Sequence, residues 1–328
     1  MAYVPKTDGL WTLGELLSVY EGDEVDPTVV HTILDVQPLF DQAPMLPANN
    51  GTNNITQVIT KYPELQSRGF NEGVDPAKFA QNTRVDTCGM FASYSVIDAK
   101  MLAQNGNSAA WRAKQETAFI RGFTHGMARR IFQDTQKNDA KSFDGFQVRY
   151  NKIGEQVIDF GGTGTNLTDI WLINWDPALV HLIHPAKGLA GLQTFDRGEA
   201  DAYDKNGKRF RAVMTDFEWD VGLAVEDPAQ VIRIANVDVD ALKDYETAPS
   251  LINKLIEAQE RLPEGAGGQA AFYMSQSVRG ALRLQINNHK NVQLTQENIA
   301  GRLVTAFDGV PIHKMPNSVL GSYKTAIK

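Results

Sequence analysis

Residues 107–137 read NSAAWRAKQETAFIRGFTHGMARRIFQDTQK, and SFDGFQVRYN follows at 142–151. Asn107 or Ser108 can accept hydrogen bonds from the first free amides, which marks a helix start. Trp111, Phe119, Phe123, Met127 and Ile131 then fall on a four-residue stagger, and Ile120 and Phe132 widen the stripe. That is the 3.6-residue period of an amphipathic helix. It predicts one helix over 107–136, about 45 Å long at 1.5 Å per residue. A compact two-domain enzyme seldom needs so long a rod, whereas a flat, extended protein does.

The opposite face of this helix is basic. Arg112, Lys114, Arg121, Arg129, Arg130 and Lys137 stand against Glu116 and Asp134, in a chain whose formal net charge is −7. One reading is a solvated face with i,i+4 partners. The other is a face turned toward a polyanion, with Arg112, Arg121, Arg129 and Arg130 as its contacts.

The 328 residues are enough for about two domains and a sizeable core. Forty-two per cent hydrophobic and 22 per cent charged is ordinary for a soluble globular chain. The acidic balance argues against a surface that binds nucleic acid all over, but leaves room for one basic face. The single cysteine, Cys88, excludes an internal disulfide framework and reads as a semi-buried strand residue. The opening MAYVPKTDGL has no basic and then apolar run, so no secretory signal is expected. No apolar run reaches the 18 residues of a membrane span.

Residues 1–47 read as an arm. Leu13, Leu16, Leu17 and Tyr20 make one short apolar face, and a second helical pattern opens at Asp26-Pro27 and runs to Gln37. Two such helices cannot bury themselves and must lie on this subunit or on a neighbour. Residues 48–94 read as a two-stranded excursion. Ile55–Tyr62 has β-branched strand character, Thr83–Tyr94 returns, and Arg68–Pro76 between them is loop chemistry. An isolated ribbon is marginal in water and exposes its edges, so it makes sense if another subunit covers it. Lys61, Tyr62, Arg68 and Phe70 are its candidate inter-subunit residues.

Beyond the long helix, Ile170, Leu172 and Asn174 alternate with Trp171, Ile173 and Trp175, a strand buried on both faces. Arg209–Val225 and Gln230–Val237 suggest a hairpin across 226–229. An amphipathic helix over 248–262, a strand at Phe272–Met274 leading into a helix from Ser277, and a turn-strand unit at Val304–Met315 complete the pattern.

No chemistry-bearing constellation stands out. His181 and His184 sit three apart, but in strand context and beside Pro185, without the helical face a metal pair would use. Gly161–Thr165 lacks the lysine of a phosphate loop. Ser275-Gln276-Ser277 lacks the glycines of a nucleophile elbow. No catalytic, metal or cofactor residue is assigned, and no cofactor is expected.

The ordered series is informative where single motifs are not. It comprises the long helix ending at Ile131-Phe132, Phe143-Asp144-Gly145-Phe146 with Arg149-Tyr150, Asp169–Trp175, His184–Leu192 and Arg233–Asp238. Over residues 10–315 it resembles the major capsid proteins of tailed double-stranded DNA phages, in the short-tailed-phage branch. The resemblance implies an α+β, HK97-like capsid fold and no enzyme. It implies an N-terminal arm (1–47), an extended β-hairpin loop (48–94), a peripheral domain (95–240) holding the spine helix (107–136) and an axial domain (241–328). The segment order is swapped relative to the commonest version, because the long strands precede the axial helix. It further implies self-assembly as pentamers and hexamers into an icosahedral head around double-stranded DNA bound without sequence preference. A scaffolding protein, a portal and a decoration or cement protein are implied as partners, with no membrane. The location is the virion capsid, assembled in the host cytoplasm. The competing readings are an encapsulin-like compartment holding cargo and a soluble two-domain enzyme.

Overall fold

The computed structural model describes residues 38–104, 106, 109–243, 249–263, 265, 267–289, 294–299 and 302–328. The two short helices expected before residue 38 lie outside them.

A helical turn at 38–42 leads into β1 (Met45–Pro47), the ribbon strands β2 (Asn53–Lys61) and β3 (Ala80–Thr87), and β4 (Gly89–Asp98). Helices α1 (Ala99–Gln104), α2 (Ala109–Gln133) and α3 (Phe146–Arg149) follow. Then come β5 (Val157–Asp159), β6 (Leu167–Trp175), β7 (Val180–His184), β8 (Gln193–Tyr203), β9 (Arg209–Val225) and β10 (Val231–Asp238). The last part holds α4 (Leu251–Arg261), β11 (Gln269–Ser275), α5 (Gln276–His289), β12 (Leu294–Ile299), β13 (Arg302–Phe307), β14 (Val310–Met315) and α6 (Asn317–Leu320).

The strands form three sheets. In the first, β1-β7-β9-β4 lie side by side and β8 also pairs with the long β9. The second runs β12-β13-β14-β11-β6-β10-β5, and the third is the isolated β2-β3 ribbon. Every residue of β6 is buried, as its two apolar faces require. Trp171, Ile173 and Trp175 point into a core shared with α2 and the first sheet. Ile170 and Leu172 point into a second core closed by α4 and α5. The α4 helix buries Leu251, Leu255 and Ala258 and is capped by the Ser250 hydroxyl, which accepts from the Asn253 amide.

The long helix holds 25 residues, about 37 Å at 1.5 Å per residue. It stops at Gln133, short of the expected 136, because the chain turns back sharply. The Asp134 carbonyl accepts from the Gly145 amide, and a Cβ on Gly145 would lie 2.7 Å from the Ile131 carbonyl oxygen. Only glycine lets residues 143–146 return against the helix end, and this return buries Phe143 and Phe146 beside Phe132. Burial of the apolar stripe deepens along the helix: Met127, Ile131 and Phe132 are buried, while Phe119, Ile120 and Phe123 are half-exposed.

Three expectations are corrected. Residues 209–225 and 231–238 form no hairpin, since β9 belongs to the first sheet and β10 pairs with β5 and β6 in the second. Between them Asp227 caps a 3-10 turn at Pro228–Gln230, its carboxylate accepting from the Ala229 amide, and the turn passes the chain from one sheet to the other. The returning strand 83–94 is split at Cys88, with β3 in the ribbon and β4 on the edge of the first sheet. Lastly, the second sheet straddles residue 240, because β5, β6 and β10 precede it while β11 and β14 follow. A strand apolar on both faces needs helices on one side and a second core on the other, and that draws β6 into the later part of the chain.

The segment 38–48 docks on its own subunit. Leu39 is wholly buried, Phe40 packs on Trp219 with ring centroids 5.1 Å apart, and β1 pairs in parallel with β7.

His313 on β14 packs against Tyr273 with ring centroids 5.5 Å apart and the planes tilted by 33°, and its Nε2 has no partner. Burial, helped by the nearby Arg279 charge, lowers its pKa from 6.5 to about 4. The folded state therefore excludes the proton that the unfolded chain takes up. The associated stability is complete above pH 6.5 and lost as pH falls toward about 4, on the order of 2–3 kcal/mol. Urea unfolding of the unassembled subunit between pH 7 and 4 should show this loss, and His313→Gln should flatten it.

Candidate assembly surfaces

The four candidate arginines of α2 fall into two pairs. Arg112 is tied into the fold, with Nε 2.8 Å from Glu116 Oε1 and Nη2 2.7 Å from Asp196 Oδ1. Its Nη2 also donates to Thr215 Oγ1 at 3.0 Å. Donating to the Asp196 carboxylate chiefly raises the Arg112 pKa, and the cluster fastens α2 to β8 and β9. Arg130 meets Asp134 at 2.5 Å and lies 4.6 Å over the Phe91 ring. Among the described residues neither Arg121 nor Arg129 enters an ion pair. Arg129 is exposed, while Arg121 is half-buried with its Nε unpartnered. Arg129 lies near His125, whose pKa is lowered first by burial and then by that charge.

The ribbon has two unlike faces. Pairing sets Ile55 opposite Val85 and Asn54 opposite Asp86. Strand alternation then puts Ile55, Ile59 and Val85 on one face, all exposed, and Asn54 and Asp86 on the other, both buried. The buried face is anchored through Arg149, whose Nη1 donates to Asp86 Oδ1 at 2.7 Å and Nη2 to the Leu223 carbonyl at 2.9 Å. Both side chains of this pair are almost fully buried.

Residues 61–80, from the ribbon's end through its loop, are exposed throughout. The Glu72 amide lies 3.5 Å from the Gly69 carbonyl, and Asn71 has φ 65°, so Phe70 is presented at the apex of a turn. Arg68 braces that turn by donating to the Glu72 carbonyl at 2.7 Å. Lys61 pairs with Glu64 at 3.2 Å in solvent. Tyr62, Leu65, Phe70, Val74 and Phe79 are all exposed, Leu65 and Phe70 completely. So many large apolar groups exposed on one excursion make it a candidate interaction surface.

Between α2 and β4 runs an apolar groove of about 610 Å³, lined by Met90, Phe91, Phe119, Phe123 and Met127 among others. Beneath these surfaces sits a buried ionic node. Arg233 Nη2 donates to Asp169 Oδ2 at 2.7 Å, and its Nη1 to the Tyr150 carbonyl at 2.6 Å. Tyr323 donates to Asp169 Oδ1 at 2.8 Å, and the Arg233 guanidinium lies 5.1 Å over Trp171. Burial raises the Asp169 pKa against the pull of Arg233. Asn236, at φ 60°, holds the C-terminal tail through both its amide atoms: its Nδ2 donates to the Ile327 carbonyl and its Oδ1 accepts from the Ile327 amide.

No group of three or more His, Cys, Asp or Glu among the described residues could hold a metal ion. No described helix is long and apolar enough to cross a membrane.

A long helix laid on a long-stranded sheet, a second sheet with flanking helices and a projecting ribbon together make the HK97-like capsid fold that the resemblance implied. The chain belongs to the major capsid protein GP7 family, whose model matches residues 21–318. It is similar to the subunit in the cryo-EM structure of bacteriophage epsilon15, at 26% identity over 86% of this chain and 88% of that one, with a TM-score of 0.69. The bacteriophage JBD30 capsid has the same fold at 11% identity, covering 86% of this chain and 90% of that one, with a TM-score of 0.50. The SrpI encapsulin of Synechococcus elongatus is also similar, at 9% identity over 70% of this chain and 97% of that one, with a TM-score of 0.42. No curated protein sequence matches the chain. The protein is therefore a structural, non-enzymatic component of a phage capsid that assembles into a multimeric shell.

The ribbon and its loop were legible in the sequence as an exposed excursion, and α2 as a helix with a basic face. The groove and the two buried ion pairs were not read as functional. A signal existed: Asp169 and Arg233 are charges of opposite sign in the interior of two largely apolar strands.

Proposed function

We propose that this chain forms pentamers and hexamers that close into an icosahedral head around double-stranded DNA. The first sheet with α2 makes the peripheral wall, and the second sheet with α4 and α5 makes the axial body of each ring. The ribbon straps neighbouring subunits together. The observation that carries this reading is the ribbon itself, anchored on its polar face by the buried Asp86–Arg149 pair and bare on its apolar one. Individually modest contacts suffice, because multivalent closure multiplies them. A scaffolding protein, a portal and a decorating protein complete the assembly, which takes place in the host cytoplasm. Electron microscopy of the purified full chain tests the reading: closed shells with five- and six-fold rings support it. A monodisperse monomer at high concentration, with residues 61–80 packed on their own body, overturns it.

Arg121 and Arg129 are the arginines of α2 available to phosphate, since Arg112 and Arg130 are committed to carboxylates. Their contacts read no sequence. The double variant Arg121→Gln/Arg129→Gln should assemble normally and lose packaged DNA at lower salt than the parent. Equal salt tolerance of DNA-filled heads would assign these charges to another role.

A further inference from the structure

Asparagine followed by glycine is the pairing in which a side-chain amide reacts most readily with its own backbone, because no side chain shields the glycine nitrogen. The chain has three such pairs, Asn50-Gly51, Asn105-Gly106 and Asn206-Gly207. Asn105 lies outside the described residues, and the other two pairs sit in exposed turns. Their glycine amides differ. The Gly207 amide donates to the Asp204 carbonyl at 2.9 Å, and the Asp204 carboxylate accepts from the Asn206 and Lys208 amides. Deprotonating Gly207 would break a hydrogen bond and set a negative charge beside that carboxylate. In the first turn Asn50 and Asn53 exchange both backbone bonds, at 2.9 and 3.0 Å, and Gly51 takes the first central position at φ 67°. Among the described residues nothing accepts from the Gly51 amide, and the Asn50 side chain has no hydrogen-bond partner. A Cβ built on Gly51 meets nothing within 4 Å. Nucleophile and electrophile both stand open to solvent.

This turn is also the joint between the ribbon and the first sheet. On the ribbon side, the Asn49 side chain accepts from the Ile55 amide at 2.8 Å and donates to its carbonyl at 2.9 Å. The Thr52 carbonyl accepts from the Cys88 amide at 2.9 Å. On the sheet side, the Ala48 amide donates to the His184 carbonyl and the Ala186 amide to the Gly51 carbonyl, both at 2.8 Å. Residues 48–53 therefore set the ribbon's bearing against the body.

We propose that Asn50 is a site of spontaneous deamidation, and that its conversion ages the free subunit by loosening the ribbon's seat. The Gly51 amide gives its proton to hydroxide, and its nitrogen bonds to the Asn50 Cγ. The Cγ–Nδ2 bond breaks, and the departing nitrogen takes a proton from water and leaves as ammonia. Water then opens the cyclic imide at one of its two carbonyls, so water is consumed, ammonia is lost and a carboxylate replaces the amide. Opening at the α-carbonyl routes the backbone through Cβ and Cγ, as isoaspartate. The chain is then one carbon longer within the turn, and the carbonyl that accepted from the Asn53 amide leaves its register. The modification stands independently of the shell reading, and only its effect on assembly rests on that reading.

The full chain, held unassembled at mildly alkaline pH, tests it by peptide mass spectrometry with a fragmentation that separates isoaspartate from aspartate. Asn50 should convert about tenfold faster than Asn206, whose glycine must first give up a hydrogen bond. Aged protein should exchange the amides of 53–61 faster than fresh protein, and its shell yield should fall in step with isoaspartate content. Asn50→Gln, whose longer side chain closes a larger ring far more slowly, should keep both properties through the same incubation. Conversion at Asn206 that equals or outruns Asn50 overturns the site. Isoaspartate at Asn50 with unchanged exchange in the ribbon overturns the loosening. If the fresh parent forms no shells, the shell reading falls alone, and the mass and exchange measurements still decide the modification.

Discussion

Replacing Asp169 with alanine is expected to destabilise the subunit by about 3–5 kcal/mol, the usual consequence of leaving one member of a buried ion pair without its partner. Asp169 has no exposed surface, and Arg233 retains almost none. Removing the carboxylate strands the guanidinium and also the Tyr323 hydroxyl, which donates to Asp169 Oδ1. Gln147 loses an acceptor as well, at 3.1 Å. The node joins β6, β10, α3 and the C-terminal tail, so its loss should be global. Urea unfolding of the unassembled subunit, followed by tryptophan fluorescence, would read it as a lowered midpoint with an unchanged slope.

The pair's net contribution is a separate quantity. Burial raises the Asp169 pKa even beside Arg233, which means desolvation outweighs the attraction at this site. A double replacement, Asp169→Leu with Arg233→Met, should therefore cost less than the two single changes added together. The expected coupling is on the order of 2 kcal/mol. It stops short of full recovery, because the double replacement removes partners from both the Tyr150 carbonyl and the Tyr323 hydroxyl. Strict additivity would show that the two side chains stabilise the fold independently.

This node illustrates what was and was not legible in the amino-acid order. The two-faced burial of β6 could be read directly, since Ile170 and Leu172 alternate with Trp171 and Ile173 and each set found its own core. The presence of α4, though not its start at Leu251, and the strand-to-helix passage at Met274–Ser277 were equally local, set by short-range periodicity. The partition of strands among sheets was not local. Arg209–Val225 and Val231–Asp238 look like hairpin arms, yet the 3-10 turn at Pro228 redirects the second strand by a rotation that no pattern of apolar residues encodes. The helix ended three residues early for a similar reason: Gly145 packs on the carbonyls of Arg130 and Ile131, a contact made across a loop. The basic face of α2 was readable as charge, but its division was not. Arg112 finds Asp196, a residue 84 positions away, only because β8 folds alongside.

Replacing Arg149 with alanine should release the ribbon while sparing both cores. A two-stranded ribbon is marginal in water without other support, and its support here is the buried pair with Asp86 together with the arginine's bonds to the Leu223 and Asp144 carbonyls. The variant leaves the Asp86 carboxylate buried, with the 3.4 Å contact from the Val225 amide and no cation in direct contact. Its cost, about 3–5 kcal/mol, can be avoided by swinging β3 outward into water, because the ribbon's opposite face is already exposed and its other side-chain ties to the body are few: Asn54 to Glu226 and Arg84 to the Val225 carbonyl, both at 3.5 Å, and Gln136 to Thr87 at its root. The loss should therefore be local. Hydrogen exchange in 53–61 and 80–87 should speed up by on the order of a hundredfold or more, while amides of β6 and β10 keep their protection. Asp86→Asn should do the same more weakly, since the amide can still accept one bond from Arg149. In assembly, a ribbon without a fixed root holds its loop at no set angle, so each contact with a neighbour must bear the entropy of reordering it. Shell yield should fall even though the subunit remains folded. Uniformly accelerated exchange across ribbon and cores would place Arg149 in the global fold instead, and unchanged exchange in the ribbon would show that the Asp86 pair anchors nothing.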